Sequence, residues 1–291
     1  MEKIVDDIYF IQGNNQGKYP FSNSLLIKEN NNILIDAGLG NRIIRKILKN
    51  NQINKVLLSH NHEDHISGLK YLKDAQIFIH NLDKKGVESI KYLQYIYGLD
   101  DSYEKEFKSF IESLGVKEII INKTFKGGEK LKINDIEIEI IHTPGHSAGH
   151  SCFYIKPYRI MFLSDIDLSS FGPWYGSIDG NIEQFIQSIK KILNYKIDYA
   201  VSSHKGLIVG DIKDRLIRFL NKIYEREKLI LENIGNGITI EELVEKALIY
   251  GKFPEPKELF VMGERLMIEK HLNKLLRERK LIKINEKYIK I

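Results

Sequence analysis

The chain of 291 residues carries 44 Lys and Arg against 39 Asp and Glu, a net charge of +5, with 43% hydrophobic and 29% charged residues. Such length and composition suit a soluble globular protein with a large core. No apolar run approaches the ~20 residues that span a bilayer, no signal-peptide pattern opens the chain, and the single Cys152 excludes an intrachain disulfide framework, so a cytoplasmic location is expected.

In chain order, short apolar β-branched runs predict strands at 8–11, 24–27, 33–35, 56–58 and 77–79, with helices near 41–49 and 66–72. Residues 83–114, with Tyr92, Tyr95, Tyr97 and Tyr103, have helical periodicity and read as an insertion between core elements. Strands resume at 119–122, 131–142, 151–155, 159–163 and 199–202, and Cys152 within them reads as a packed small hydrophobe. A charged helix over 211–233 ends at Gly235-Asn236-Gly237. Thr239-Ile240-Glu241-Glu242 is a capping box opening a helix to about Tyr250. A second helix starts at Pro256 or Leu259 and runs to Arg279, with Leu266, Leu272, Leu275 and Leu276 on one face. A hairpin over 281–291 follows. Strand runs on both sides of helical segments predict an α/β (α+β) fold of two mixed sheets face to face, flanked by helices.

The stretch His60-Asn61-His62-Glu63-Asp64-His65 is the densest chemistry in the chain. Imidazoles at i and i+2 share one side of an extended segment and can reach one ion, while Asp64 and His65 are placed for a neighbouring one. Neutral imidazole and carboxylate suit zinc, manganese or iron at a centre kept open to water.

This pattern resembles the HxHxDH signature of the metallo-β-lactamase fold superfamily. The resemblance implies an αββα sandwich, and it implies further ligands at strand ends: His146 in Thr143-Pro144-Gly145-His146, a bridging Asp165 in Phe162-Leu163-Ser164-Asp165, and His204 in Val201-Ser202-Ser203-His204. It also implies an upstream Asp36 that hydrogen-bonds the ligand loop. Each candidate follows an apolar run and precedes a turn, the pattern of strands ending at one rim. On that reading His60, His62 and His146 hold one ion, Asp64, His65 and His204 the other, and Asp165 bridges them. Two divalent ions are expected, zinc first, with manganese and iron as alternatives. Their hydroxide would attack an ester-type bond, with Asp64 orienting the nucleophile. His150 reads equally as a support for the ligands or as a satisfied structural histidine, while His80, His142 and His271 read as structural. The loop after Asp165 offers Phe171, Trp174 and Tyr175 as candidate pocket walls, and the Tyr-rich insertion reads as the opposite wall.

The basic excess is confined to the end: residues 265–291 hold nine basic and three acidic residues, and the first 264 hold 35 and 36. The reading divides the chain into a catalytic domain (1–210), a connecting helix (211–234) and a winged-helix-like domain (235–291). The last is similar to the tail of the β-lactamase-like protein 2 subgroup, which includes single-strand-specific endoribonucleases. Arg265, Lys270, Lys274, Arg277, Arg279 and Lys280 would then contact RNA, or else form a solvated face while the tail packs on the catalytic domain or a second subunit. Three functions follow: a hydrolase of a thioester, lactone or other small ester, nearest the glyoxalase II branch though without its glutathione-binding basic cluster; a metal-dependent endoribonuclease or phosphodiesterase; and a mononuclear iron enzyme of the persulfide dioxygenase type, or a tail-driven nucleic-acid binder. A homodimer is the expected assembly if the tail packs on a second copy.

Overall fold

Seven strands, β1 (Glu2–Val5), β2 (Ile8–Ile11), β3 (Ser24–Ile27), β4 (Ile33–Ile35), β5 (Lys55–Leu57), β6 (Gln76–His80) and β7 (Lys123–Phe125), lie side by side in chain order, antiparallel up to β4 and parallel from there to β7. A second sheet has β8 (Lys130–Ile133) and β9 (Ile136–His142) at one edge, then β10 (Ser151–Ile155), β11 (Ile160–Ser164), β12 (Tyr199–Ser202) and β13 (Gly206–Val209). Only β11 and β12 pair in parallel there. The computed structural model describes residues 1–133 and 136–291, so residues 134–135, within the strand expected at 131–142, lie outside the described residues.

The sheets are apolar on both faces. Ile8, Leu25, Ile35 and Leu57 of the first meet Ile138, Phe153, Phe162 and Val201 of the second in a shared core. The outer face of the first sheet is covered by α1 (Asn41–Leu48), α3 (Lys84–Glu88), α4 (Ile90–Ile96) and α5 (Glu104–Leu114), which bury Ile44, Val87, Leu93 and Phe107 against Leu34, Val56 and Ile79. The short α2 (Glu63–Ile66) sits at the sheet's end. On the other side α6 (Ile182–Ile192) and α7 (Ile212–Ile234) bury Phe185, Ile189, Leu216 and Phe219 against Cys152, Met161 and Ala200. The result is the expected sandwich of two mixed sheets between helical layers.

Some elements depart from the sequence reading. The strand expected at 119–122 forms instead at Lys123–Phe125, because the Ile119 N–H bonds the Val87 carbonyl and the Ile121 N–H bonds the Glu88 carboxylate. The helix expected at 66–72 starts earlier, as α2, and continues as a single tight turn at Leu69–Tyr71. The strands β1 and β13 and the helix α6 are not marked by the sequence reading.

At the C-terminal end, α8 (Ile240–Glu245) opens on the expected capping box, Thr239 accepting from Glu242 N–H while the Glu242 carboxylate accepts from Thr239 N–H. α9 (Lys257–Arg277) leads to a hairpin of β14 (Leu281–Ile284) and β15 (Lys287–Lys290). Leu243, Ile268, Leu272, Leu275, Leu281 and Tyr288 form a core there with Ile230 and Ile234 of α7. One unbroken helix therefore serves both the outer layer of the second sheet and this terminal core.

Candidate metal centre and active site

The centre forms where strands end. After β4 the chain turns at Asp36, whose φ of 58° is left-handed and uncommon for a residue with a side chain. Its buried carboxylate accepts the Ser59 N–H at 2.8 Å and the Ser59 hydroxyl at 2.7 Å, and meets His65 Nδ1 at 2.7 Å. Three contacts to one carboxylate fix both ends of the stretch 59–65. Two residues on, Gly38 lies so close to the Asp64 carbonyl that a Cβ would come within 1.4 Å of its oxygen. His62 is the N-cap of α2, and Asp64 and His65 occupy its first turn, so the motif runs from a loop at His60 into a helix start.

The imidazoles are tethered through Nδ1: His60 by the Ser59 hydroxyl (3.0 Å), His65 by Asp36, His146 by the Trp174 carbonyl (2.8 Å) and His204 by the Gly17 carbonyl (2.7 Å). Their Nε2 atoms converge. Those of His60 and His146 are 3.1 Å apart, and that of His146 is 3.2 Å from Asp165 Oδ2. His65 Nε2 lies 3.1 Å from Asp165 Oδ1, while His204 Nε2 lies 3.4 Å from Asp64 Oδ2 and 3.5 Å from Asp165 Oδ1. Donor atoms of His60, His62 and His146, of His60, His65 and Asp165, and of Asp64, His65 and His204 form three triads, each within 4.8 Å. Asp165 faces both ends of the cluster. All seven candidates are thus brought together.

Whether this set fits a metal can be tested on its polar atoms. His62 Nε2, His65 Nε2 and Asp165 Oδ1 are buried without a hydrogen-bond partner among the described residues. Each such atom costs about 1–3 kcal/mol unless something satisfies it. A divalent cation bound by Nε2 and carboxylate oxygen does so, and tethering at Nδ1 leaves the lone pair pointing inward. The donors fit.

Electrostatics divides the cluster. Burial, then the neighbouring imidazoles, hold His60 and His62 well below the ordinary histidine value, so they are neutral lone-pair donors. Burial would also lower His65 and His204, but carboxylates prevail: Asp64, Asp165 and Asp36 hold His65 well above it, and Asp165 and Asp64 raise His204 to about 10, so a cation binding there would displace their Nε2 protons. Burial pushes Asp64 up to about 7 against the pull of His65 and His204. Asp165 is likewise desolvated, yet His65, His204 and His146 carry it well below the carboxylate range.

His150 is a support. It is buried, its Nδ1 lies 3.0 Å from the Thr143 carbonyl, and its Nε2 accepts the Asp165 backbone N–H at 3.2 Å. Burial depresses it to about 3, which keeps Nε2 an acceptor. Asp83 does similar work for the His146 loop, accepting from the Ser147 hydroxyl and Gly149 N–H, each at 2.6 Å. His80 and His142 stack at 4.1 Å, and His271 Nε2 meets the Tyr175 hydroxyl.

A cavity of about 520 Å³ opens over the cluster, lined by Tyr19, Glu63, Tyr97, Phe171, Trp174, Tyr250 and others. Phe171 and Trp174 of the loop after Asp165 line it, and so does Tyr97 of the insertion. Tyr175 does not: its ring is fully buried, and its hydroxyl is held below the loop by His271 Nε2 at 2.7 Å and by Arg226, which donates to it at 3.4 Å. The sequence reading does not mark Tyr19, Glu63, Tyr250 or Phe260. Glu63 stands inside the motif, but nothing in its neighbours marks the Tyr19 and Tyr97 hydroxyls that bond it. Buried Arg226 of α7 holds the wall loop, donating to the Phe171 and Pro173 carbonyls and lying 4.6 Å over the Phe171 ring.

The basic residues of α9 and of the turn after it are largely engaged within the chain. Lys270 donates to the Ser177 carbonyl, Lys274 pairs with Glu227 and Glu278, Arg277 with Glu183, Arg265 with Glu241 and Glu269, and Lys280 with Glu278. Cys152 is buried in its strand, its thiol pushed up to about 12 by burial. No helix among the described residues is long and apolar enough to cross a membrane.

Comparison with known proteins agrees with this architecture. The family model described as the Metallo-beta-lactamase superfamily matches residues 18–204. The chain is 29% identical over 170 residues to a hydroxyacylglutathione hydrolase of Klebsiella pneumoniae subsp. pneumoniae, covering 57% of this chain and 55% of that protein. It is 24% identical over 268 residues to an atrochrysone carboxyl ACP thioesterase of Claviceps purpurea, covering 87% and 74%. The crystal structure of a metallo-beta-lactamase family protein from Thermus thermophilus superposes with a TM-score of 0.75 at 20% identity, covering 99% of this chain and 100% of that one. The chain belongs to the metallo-beta-lactamase superfamily, as a metal-dependent hydrolase.

Proposed function

We propose that the protein hydrolyses a carboxylic thioester at a pair of divalent cations. The observation that supports this is the position of Asp165 between the triads, its two oxygens each about 3 Å from a histidine Nε2 of a different triad, where it could bridge two cations. His60, His62 and His146 would hold one cation, Asp64, His65 and His204 the other. Imidazole and carboxylate donors without thiolate suit zinc, with manganese and iron as alternatives. Bound there, the cations would supply hydroxide at neutral pH and polarise the acyl oxygen.

The chain's own residues do the rest. Asp64 lines the cavity and would accept the hydrogen bond of the attacking water, orienting it toward the acyl carbon. Phe171 and Trp174 exclude bulk water from the opposite side. The C–S bond breaks, the acyl group leaves as carboxylate, and the sulfur leaves as thiol. The names of the two hydrolase relatives, one a thioesterase, support the thioester over a lactone. We read the terminal helices and hairpin as winged-helix-like, serving here as a wall of the catalytic cavity. The engaged cations of α9 do not favour RNA cleavage, and seven converging donors exceed the needs of a mononuclear iron centre.

Protein purified with zinc should carry two equivalents by elemental analysis. In a panel of thioester, lactone, phosphodiester and RNA it should turn over the thioester best. His62→Ala should remove most of one equivalent and lower kcat/KM by about 100-fold or more, as loss of a metal-bound nucleophile's support does. Less than one equivalent, with activity intact in the variant, would end the proposal.

A further inference from the structure

The cavity wall closes into a ring. Tyr19 meets Phe260 edge-on at 6.3 Å, Phe260 meets Tyr250 at 5.5 Å, and Tyr250 lies 5.3 Å from Phe171. Trp174 donates its Nε1–H to the Tyr250 hydroxyl at 2.6 Å, and its ring lies 6.1 Å from Tyr97. Tyr97 and Tyr19 then join through Glu63, donating their hydroxyls to its two oxygens at 2.5 and 2.8 Å. Glu63 has both oxygens occupied, and the Tyr250 hydroxyl oxygen accepts from Trp174. The ring therefore offers aromatic faces to whatever enters, and an anion placed among them would lose its water beside the Glu63 carboxylate.

The mouth is different. Lys18, Lys205 and Lys252 line it, all exposed, and none forms an ion pair among the described residues. Lys18 follows Gly17, the residue that tethers His204, and Lys205 follows His204 itself. Lys252 comes from the other side, two residues after Tyr250. The carboxylates that share the cavity are committed elsewhere: Glu63 to its tyrosines, Asp64 and Asp165 to the histidine cluster, and Asp167 to the Ser169 N–H.

We infer that the cavity takes a thioester with a planar or bulky acyl group that carries no negative charge and an anionic leaving group, and that Tyr250 and Phe260 of the terminal segment set the acyl preference while Lys18, Lys205 and Lys252 hold the anion. This rests on the thioester reading above. The terminal segment thereby completes the walls that select the acyl group.

Trp174, the only tryptophan, lies in the ring and reports binding by its fluorescence without any turnover. The probes are hydrolysis-inert thioethers: S-benzyl-coenzyme A, S-ethyl-coenzyme A, S-benzylglutathione and S-benzyl-N-acetylcysteamine, titrated against the zinc-loaded full chain. S-benzyl-coenzyme A should bind about tenfold tighter than the ethyl analogue, and Phe260→Ala or the milder Phe260→Leu should reduce that preference at least threefold. The Lys18→Ser/Lys205→Ser double variant, exposed at both positions, should cut the advantage of charged over neutral benzyl thioether about tenfold. Coenzyme A against glutathione distinguishes a phosphate anion from a carboxylate one. Equal binding of ethyl and benzyl, or of charged and neutral thioethers, would overturn the inference. Thioethers binding as expected while the matching thioesters resist hydrolysis would instead sink the catalytic reading and leave the ligand class standing.

Discussion

At Asp36 a single buried carboxylate takes two hydrogen bonds from Ser59 and one from His65. The proton on His65 Nδ1 is thereby pinned outward and Nε2 is turned toward Asp165. Asp36→Asn keeps the size but sets an amide where a charge now fixes the tautomer. It should weaken metal affinity by about 10- to 100-fold in a chelator-competition titration, the range typical of residues that steady a ligand. Unchanged affinity would mean that the ligand stretch is held by α2 alone. The metal ligands of this site are legible in the sequence because chemistry concentrates them: four donors within His60 to His65, and single residues at the ends of apolar runs. The cavity ring is not legible, because Tyr19, Glu63, Tyr250 and Phe260 come from three distant stretches, and a tyrosine that faces a cavity has the same neighbours as one that faces the core. Tyr175 shows the converse, directly following Trp174, whose carbonyl tethers His146, and yet wholly buried.

Among the elements, strands with unbroken apolar runs, such as Leu25-Leu26-Ile27 of β3 and Ile33-Leu34-Ile35 of β4, are legible because both faces of each sheet are covered. The run Ile119-Ile120-Ile121 carries the same signal but bonds α3 and leaves Ile120 exposed, so tertiary contacts decide against it. α6 goes unmarked in the sequence reading although the cap Asn181 and the spacing of Ile182, Phe185, Ile186, Ile189 and Ile192 carry the helical period. For α9 the charges are legible but their partners are not, since Glu183 and Glu227 sit on other elements. Glu227 joins α7 to α9, and although burial works against its charge, His271 and Lys274 draw it down to about 2 from an ordinary 4.5. A depressed carboxylate stabilises the fold above its unfolded value, and that contribution is lost as pH falls from 4.5 toward 2. Glu227→Gln should therefore lower Tm at pH 7, with the gap to wild type closing as the pH drops through this window. A gap that stays constant to pH 2 would show that the pairing contributes nothing.

For the molecule as a whole, the ends of strands from both sheets face one rim, and Ser164 Oγ bonds Ser59 Oγ at 2.7 Å across them. The terminal segment reaches the same rim through Tyr250 and Phe260, so sandwich and tail share one cavity. Everything functional depends on seven side chains from separate stretches gathering two cations. Crystals of the zinc-loaded protein, measured at wavelengths on either side of the zinc edge, test this directly. The account predicts two anomalous peaks about 3.5–4 Å apart, one among His60, His62 and His146 and one among Asp64, His65 and His204, with Asp165 between them. A single peak, or zinc bound away from Asp165, would contradict it.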